Sequence, residues 1–559
     1  MAKYRDVLII CLIAAAGLAV YANSFGNQFV WDDFTFVAEN PAIRKLTNFV
    51  SFFTRPETLT TSGISKDTYR PLVAASFSVD YFFWKLNPRY YHIESVLFHI
   101  INAVLLYFLM RVIIKDATAS ALVSLLFLAH PVQTEVVDWI ARRGDVIGVF
   151  CYLLAAIAHF RIRRGRDKKP LLYSGMIMLF AVAVLFKETT ITLPLILISA
   201  DALFPQPSGT RKRSLRYYLP FFAVIVLYML TRRAVVGPIA QCAWWGGGPF
   251  PTFLTMCKVF VNYIRLLIFP MNLCADYVIP VIMSVANAGF LISFFILCAI
   301  AAAAFSLRSY SRLFTFGVCW FFISLIPASN IFPIKILLAE RFLYIPSIGF
   351  FIAVIGLVLK QKDRLKKTLY AAIGILLVIF GVLTAERNKD WKDEITFFTA
   401  NLKRSPLSVR MRYDLGRRYA QNKMYPEAIS EFESAIKLDR YHYRSYLSLG
   451  NIYFDRRNYD EALECYTKAE SLDPSNYGTP YNIGQVYYKK GDMAGAIKNF
   501  KRAVFLAKNS AHLHYSLAVA YYKNRQIEDA VRELGIALRL NPSHRNASSL
   551  LKKLKAPPG

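Results

Sequence analysis

The 559-residue chain has few cysteines, little charge and too little acid to balance its base. Its eight cysteines are scattered. Several fall inside apolar runs (Cys11, Cys151, Cys298, Cys319) and no CxxC pair occurs, which excludes a recognisable zinc site or disulfide framework. No His/Asp/Glu cluster has a distinctive ligand spacing, so the sequence leaves metal use open. Only 19% of residues are charged, with 67 Lys+Arg against 37 Asp+Glu for a formal charge of +30. That excess could suggest nucleic acid, but its placement argues otherwise. Residues 1–390 hold 39 basic and 20 acidic side chains, and the basic ones sit in short loops between apolar runs, where such residues set membrane orientation.

What the chain has in quantity is hydrocarbon. It is 55% hydrophobic and 15% aromatic with a mean hydropathy of +0.35, too apolar for a soluble domain. Apolar runs of crossing length lie near 6–23, 93–114, 117–131, 144–161, 171–187, 189–204, 216–234, 288–307, 311–328, 341–360 and 367–386. The first follows a short basic start without a clear cleavage site, so it is expected to stay as a signal anchor. Basic clusters at Lys3/Arg5, Arg111/Lys115, 161–169, 211–216, Arg308/Arg312 and 360–367 are expected to be cytoplasmic. The loops before and after 253–270 must then both lie outside. That stretch carries Lys258, Asn262 and Arg265, which suits an interfacial or re-entrant helix. The expectation is an all-α polytopic domain of about eleven spans over 1–390, N-terminus in and C-terminus out.

This topology gathers polar residues on the external side: Asp32 and Asp33 in a loop spanning 24–92, SKDTYRPL (65–72), HPVQTEVVDWIARRGD (130–145), Lys187 and Glu188, the loop 237–251, NLCADY (272–277) and 327–347. Ionisable residues at several span ends on one face suggest a built site. For each residue alone, a solvated loop is the simpler reading.

The last third is periodic. Gly416, Gly450, Gly484 and Ala518 recur every 34 residues, as do Ala428, Ala462, Ala496 and Ala530; Phe432, Tyr466, Phe500 and Leu534; and Ala435, Ala469, Ala503 and Ala537. Pro474 and Pro542 fall at repeat ends. This is the tetratricopeptide pattern of paired antiparallel helices stacked into an α-solenoid. The 391–559 domain divides into a half-repeat at 391–406, repeats over about 409–542 and a capping helix at 543–555. Such a groove suits an extended peptide or partner helix, and a spacer or oligomerisation arm is the plainer alternative.

For WDDF (31–34), a carboxylate near the interface can take the proton of an acceptor hydroxyl, with Arg143, Lys187 and Arg341 as cations for a departing phosphate. An Asp N-cap on the next helix is the structural alternative.

Together, WDD, YRPL (69–72), FHIINAVL (98–105), HPVQTEVV with RGD (143–145), FKETTITLP (186–194), NLCADY, PASNIFP (327–333), AERFLYIPSIG (339–349) and WKDEITFFTANLKRSP (391–406) resemble the transmembrane and tetratricopeptide-repeat O-mannosyltransferases of the GT-C class. The resemblance implies transfer of a hexose, mannose in animal members, from a polyprenyl-phosphate donor to protein Ser/Thr with inversion. It implies Asp32 as base with Asp33 its partner, and donor or sugar contacts at Arg143, Asp145, Lys187, Glu188, Glu340 and Arg341, with Arg143 and Arg341 on the phosphate. No cofactor beyond the lipid-linked donor is implied, a divalent ion is left open, and the expected partners are lipid and an acceptor protein bound by the repeats, not nucleic acid. Animal members carry more repeats, which suits a bacterial homologue in the inner membrane with periplasmic repeats, or a luminal array if eukaryotic. The rival readings are a non-catalytic repeat scaffold and an enzyme glycosylating a lipid or glycan. A transporter would need two matching halves with broken helices, and no such symmetry is present.

Overall fold

In the computed structural model, residues 2–61, 68–163, 170–204, 215–237 and 242–555 are described. Part of the expected external stretch 65–72 and of the loop 237–251, and most of the basic clusters at 161–169 and 211–216, lie outside them. Among the described residues the only regular secondary structure is helical, and the chain divides into two units, Met1–Ser405 and Pro406–Gly559. The segment expected as a half-repeat, 391–406, falls almost wholly within the first unit.

Among the described residues, seven helices are long and apolar enough to cross a membrane: Tyr4–Gly26, Pro88–Ile113, Ile140–Arg163, Leu219–Val236, Pro249–Ile268, Ala288–Ser306 and Asp363–Trp391. Ala117–Ala129 and Pro131–Val137 form a pair bent by 51°, as expected where a proline ends one helix and opens the next. Shorter apolar helices cover Pro170–Phe186, Arg312–Ala328 and Pro346–Val358.

Seven such helices among the described residues, or eight if the bent pair is one span, stand against the eleven expected, and two stretches show where they part. The stretch 189–204 is a short turn, Glu188–Thr192, and then an 11-residue helix, Leu193–Leu203. At 1.5 Å per residue that helix covers only ~16 Å of a ~30 Å hydrocarbon layer. Hydropathy is continuous there, and the turn that interrupts it is invisible to a sliding average. Conversely, nearly all of 253–270 belongs to the helix Pro249–Ile268, whose 20 residues meet the length requirement for crossing. Its Lys258, Asn262 and Arg265 share one side at three- and four-residue spacing.

The second unit is four helix pairs, Val409–Gln421 with Tyr425–Leu438, Tyr443–Asp455 with Tyr459–Leu472, Gly478–Lys490 with Met493–Leu506, and Ala511–Lys523 with Ile527–Leu540, closed by Arg545–Lys555. The repeat glycine is a close-approach position. A Cβ on Gly450 would stand 2.6 Å from the Tyr466 ring, and one on Gly484 2.7 Å from the Phe500 ring. The turn inside each pair also repeats: Lys423, Arg457, Gly491 and Arg525, 34 apart, all have positive φ (61°, 64°, 85° and 61°). Only the third is glycine, so the other three carry the left-handed penalty of a side chain. Arg457→Gly is therefore expected to stabilise the repeats by about 0.5–1 kcal/mol, read as a higher midpoint for their thermal transition in the full-length protein.

Candidate active site

Polar side chains from distant parts of the first unit meet in ion pairs, and their exposure separates brace from working group. Asp33 is fully buried. Its Oδ2 accepts the Val30 N–H at 3.0 Å and its Oδ1 the Ala141 N–H at 2.7 Å. It ties the first loop to the turn before the Arg143–Arg163 helix, and its side chain does not cap the following turn, Phe34–Ala38. Burial pushes its carboxyl up to about 8 despite these two bonds. The neighbouring Asp32 points elsewhere. Its Oδ2 lies 3.6 Å from the Arg142 guanidinium, and the two side chains remain 23% and 14% exposed.

Most of the other pairs are more enclosed, Glu188 at 37% exposed being an exception. Lys187 Nζ meets Asp145 Oδ2 at 2.8 Å with side chains 3% and 5% exposed. That approach depends on Gly144, where a Cβ would stand 2.6 Å from the Phe186 carbonyl. Arg341 is clasped by Glu135, whose second oxygen takes the Arg341 N–H at 2.8 Å. Glu340 accepts from Tyr277 Oη at 2.7 Å and pairs with Arg387 at 2.8 Å. Burial raises its carboxyl to about 7, against the pull of Arg387. Arg143 is enclosed by Asp80 and Glu94 and lies against the Phe77 and Tyr91 rings. Glu188 is bound by Arg70 at 2.6 and 2.9 Å. Burial opposes its charge, yet Arg70 and Lys187 hold its carboxyl well below the usual range.

Trp139, which is buried, ties these pairs together. Its ring stacks on Trp31 (5.0 Å between centroids, 5° between planes), and the guanidinium carbons of Arg142 and Arg341 lie 4.1 and 5.6 Å from its centroid. Arg142 also feels the charges of Arg341, Asp32, Arg70 and Asp145. The structure thus brings Asp32, Asp33, Asp145, Lys187, Glu188 and Arg341 around one arginine-rich centre, but Arg143 is spent on Asp80 and Glu94. The sequence reading missed Arg142, Arg70, Glu135, Arg387 and Trp139. Arg70, Glu135, Trp139 and Arg142 lie inside the motifs quoted for their neighbours, and Arg387 was marked only by being a cation in the last turn of an apolar helix. Among the described residues no three His, Cys, Asp or Glu side chains come together as a metal-ligand set.

Comparison with known proteins adds to this geometry. The family model of the TPR repeat matches residues 450–491 and 484–524. The mouse protein O-mannosyl-transferase TMTC3 is 28% identical over 72% of this chain and 47% of its own length. The Caenorhabditis elegans protein O-mannosyl-transferase F38B6.6 is 25% identical over 75% of this chain and 60% of its own. Over most of its length the chain is similar in sequence to these protein O-mannosyl-transferases. It spans about half the length of the curated relatives it matches. Among solved structures, YrrB, a TPR protein with an unusual peptide-binding site, covers 28% of this chain and 81% of its own at 19% identity and a TM-score of 0.26.

Asn can keep only one of the two N–H acceptor roles of Asp33. Asp33→Asn is expected to cost about 1–3 kcal/mol in detergent-solubilised thermal unfolding. The sign of its pH dependence follows from the raised carboxyl. Between the ordinary aspartate range and about 8 the unfolded chain gives up a proton that the folded chain keeps, so stability falls as pH rises across that window. The Asn variant should lose that slope.

Proposed function

We propose that this protein is an integral-membrane glycosyltransferase that moves a hexose, mannose by the names of its relatives, from a polyprenyl-phosphate donor to a protein Ser/Thr hydroxyl on the non-cytoplasmic face. The observation that carries the proposal is the contrast within the acidic pair. Asp33 spends both oxygens on backbone N–H groups, whereas Asp32 is partly open beside Arg142. In this scheme Asp32 takes the proton as the acceptor oxygen bonds to the anomeric carbon. The bond from that carbon to the donor phosphate oxygen breaks, and the electron pair leaves on the lipid phosphate. Arg142 and Arg70, the more open of the arginines, receive the developing charge. Arg341, Lys187, Asp145, Glu188 and Glu340 hold the surrounding frame. Back-side attack inverts the anomeric centre.

The basic loops support cytoplasmic loops and an external site, with the repeats on the external side of a bacterial inner membrane. Acceptor recognition falls to the repeats. Asn451 Oδ1 accepts from both Tyr466 Oη (2.7 Å) and Asn482 Nδ2 (3.0 Å). This orients the two carboxamides so that an Asn451 N–H and the Asn482 oxygen match the carbonyl and N–H of an extended peptide. Asn451→Ala is expected to raise the acceptor KM severalfold, by about 1 kcal/mol of lost binding, at unchanged donor KM. The deciding test is donor profiling of the purified protein with a panel of lipid-linked sugars and a Ser/Thr peptide. Transfer of mannose from the polyprenyl-phosphate form supports the proposal, and no transfer from any donor leaves the scaffold reading.

A further inference from the structure

Trp31, the residue before Asp32, has φ of +53°. For a bulky side chain this left-handed conformation costs about 1–2 kcal/mol, and it persists only where its surroundings impose it. Those surroundings come from the far end of the membrane unit. The Trp31 N–H donates to Glu394 Oε1 at 3.3 Å. Its indole, stacked on Trp139, also meets Phe397 and Phe398 at 5.6 and 6.3 Å between centroids. Just upstream, the Gln28 N–H donates to the Lys392 carbonyl at 2.8 Å and Asn27 Nδ2 to the Asn388 carbonyl at 3.1 Å.

The helix that bears Glu394, Phe397 and Phe398, Glu394–Arg404, is itself fixed at both ends. Asp393 caps it by accepting the Thr396 N–H, and Asn401 Oδ1 takes the Ala275 N–H at 2.7 Å. On the other side of Asp32 the backbone is equally constrained, because its carbonyl accepts the N–H groups of Thr35 and Phe36, both at 3.0 Å. With Asp33 pinned to Ala141, the twist at Trp31 decides where the Asp32 carboxylate points.

We propose that Glu394 is a positioning residue for the transfer reaction. Its carboxylate holds the left-handed turn at Trp31 and thereby sets the Asp32 carboxylate beside Arg142. By its sequence this segment reads as a half-repeat, but its contacts make it a wall of the loop that carries Asp32. The proposal rests on the glycosyltransferase reading for its kinetic consequence and on the geometry alone for its structural one.

The test uses the full-length protein in detergent or nanodiscs. Glu394→Ala removes the acceptor oxygen and Glu394→Gln keeps one. With mannosyl-phosphoprenol donor and a Ser/Thr peptide, the Ala variant is expected to lose about 10- to 100-fold in kcat, as small misplacements of reacting groups do. Its donor KM should stay within about twofold, since ground-state binding is untouched. The Gln variant should recover most of the loss. Amide hydrogen exchange over residues 28–36 should quicken in the Ala variant and not in the Gln variant. Unchanged kcat with unchanged exchange in the Ala variant would overturn the proposal. So would a parallel fall of kcat and rise of donor KM with a lowered melting point in both variants, which marks a general brace. If the wild-type protein transfers no sugar, the functional reading fails, and the exchange comparison alone decides whether Glu394 holds the turn.

Discussion

Asp32→Asn is expected to cut sugar transfer by about 10²- to 10⁴-fold, the contribution of a positioned general base, in a protein that inserts and melts like the wild type. The side chain is 23% exposed and its ionic partner stands at 3.6 Å, so the isosteric amide gives up little stability. The effect should fall on kcat rather than donor KM, because the base acts on the acceptor hydroxyl in the transition state and not on the bound phosphate. Asp33→Asn makes the opposite pair of changes: a lower melting point and, in the folded fraction, retained transfer. Measuring both variants for initial rate and thermal unfolding separates the two carboxylates. Full transfer by Asp32→Asn would remove it as the base.

The second large effect is on stability. Glu135→Ala leaves Arg341 buried with neither its guanidinium partner nor the acceptor for its N–H. Breaking one side of a buried pair costs about 3–5 kcal/mol, because the orphaned charge has no water to return to. Removing both, as Glu135→Ala with Arg341→Met, should recover much of that loss, since the desolvation penalty disappears with the charge. Thermal unfolding of the two variants in detergent reads the difference. If Glu135→Ala melts like the wild type, the pair is no brace. The double variant should still lose transfer if the Arg341 guanidinium, 5.6 Å from the Trp139 ring centroid, helps to shape the site.

The repeats were legible because a 34-residue period writes the same packing requirement four times, and the buried Ala428, Phe432 and Ala435 and their counterparts meet it. The apolar helices were legible because lipid demands continuous hydrocarbon. Where the demand is interrupted, at Thr192 or His130, the turn costs the average little and passes unseen. The acidic pair stood out by placement, but the division of labour between Asp32 and Asp33 depends on which one faces Ala141, and that is tertiary. Arg142 and Arg143 show the same limit. Consecutive residues at a helix start leave in directions about 100° apart. One side chain therefore reaches Asp32 while the other turns to Asp80, and a motif that names their chain neighbours cannot say which. Glu394 gave the weakest signal of all, since its contact to Trp31 spans 363 residues.

The contacts of Gln28, Trp31 and Asp33 have a consequence for synthesis. Ala141 arrives early, but Lys392 and Glu394 are made only after every membrane helix has been synthesised. Contacts this distant in sequence close late. A nascent chain can hold Asp33 in place long before Trp31 acquires its turn, so Asp32 stays unaimed until the last membrane helix has docked. On the proposed mechanism the protein is then inert throughout its own insertion, and truncation anywhere before residue 394 should yield a membrane-embedded chain that does not transfer sugar.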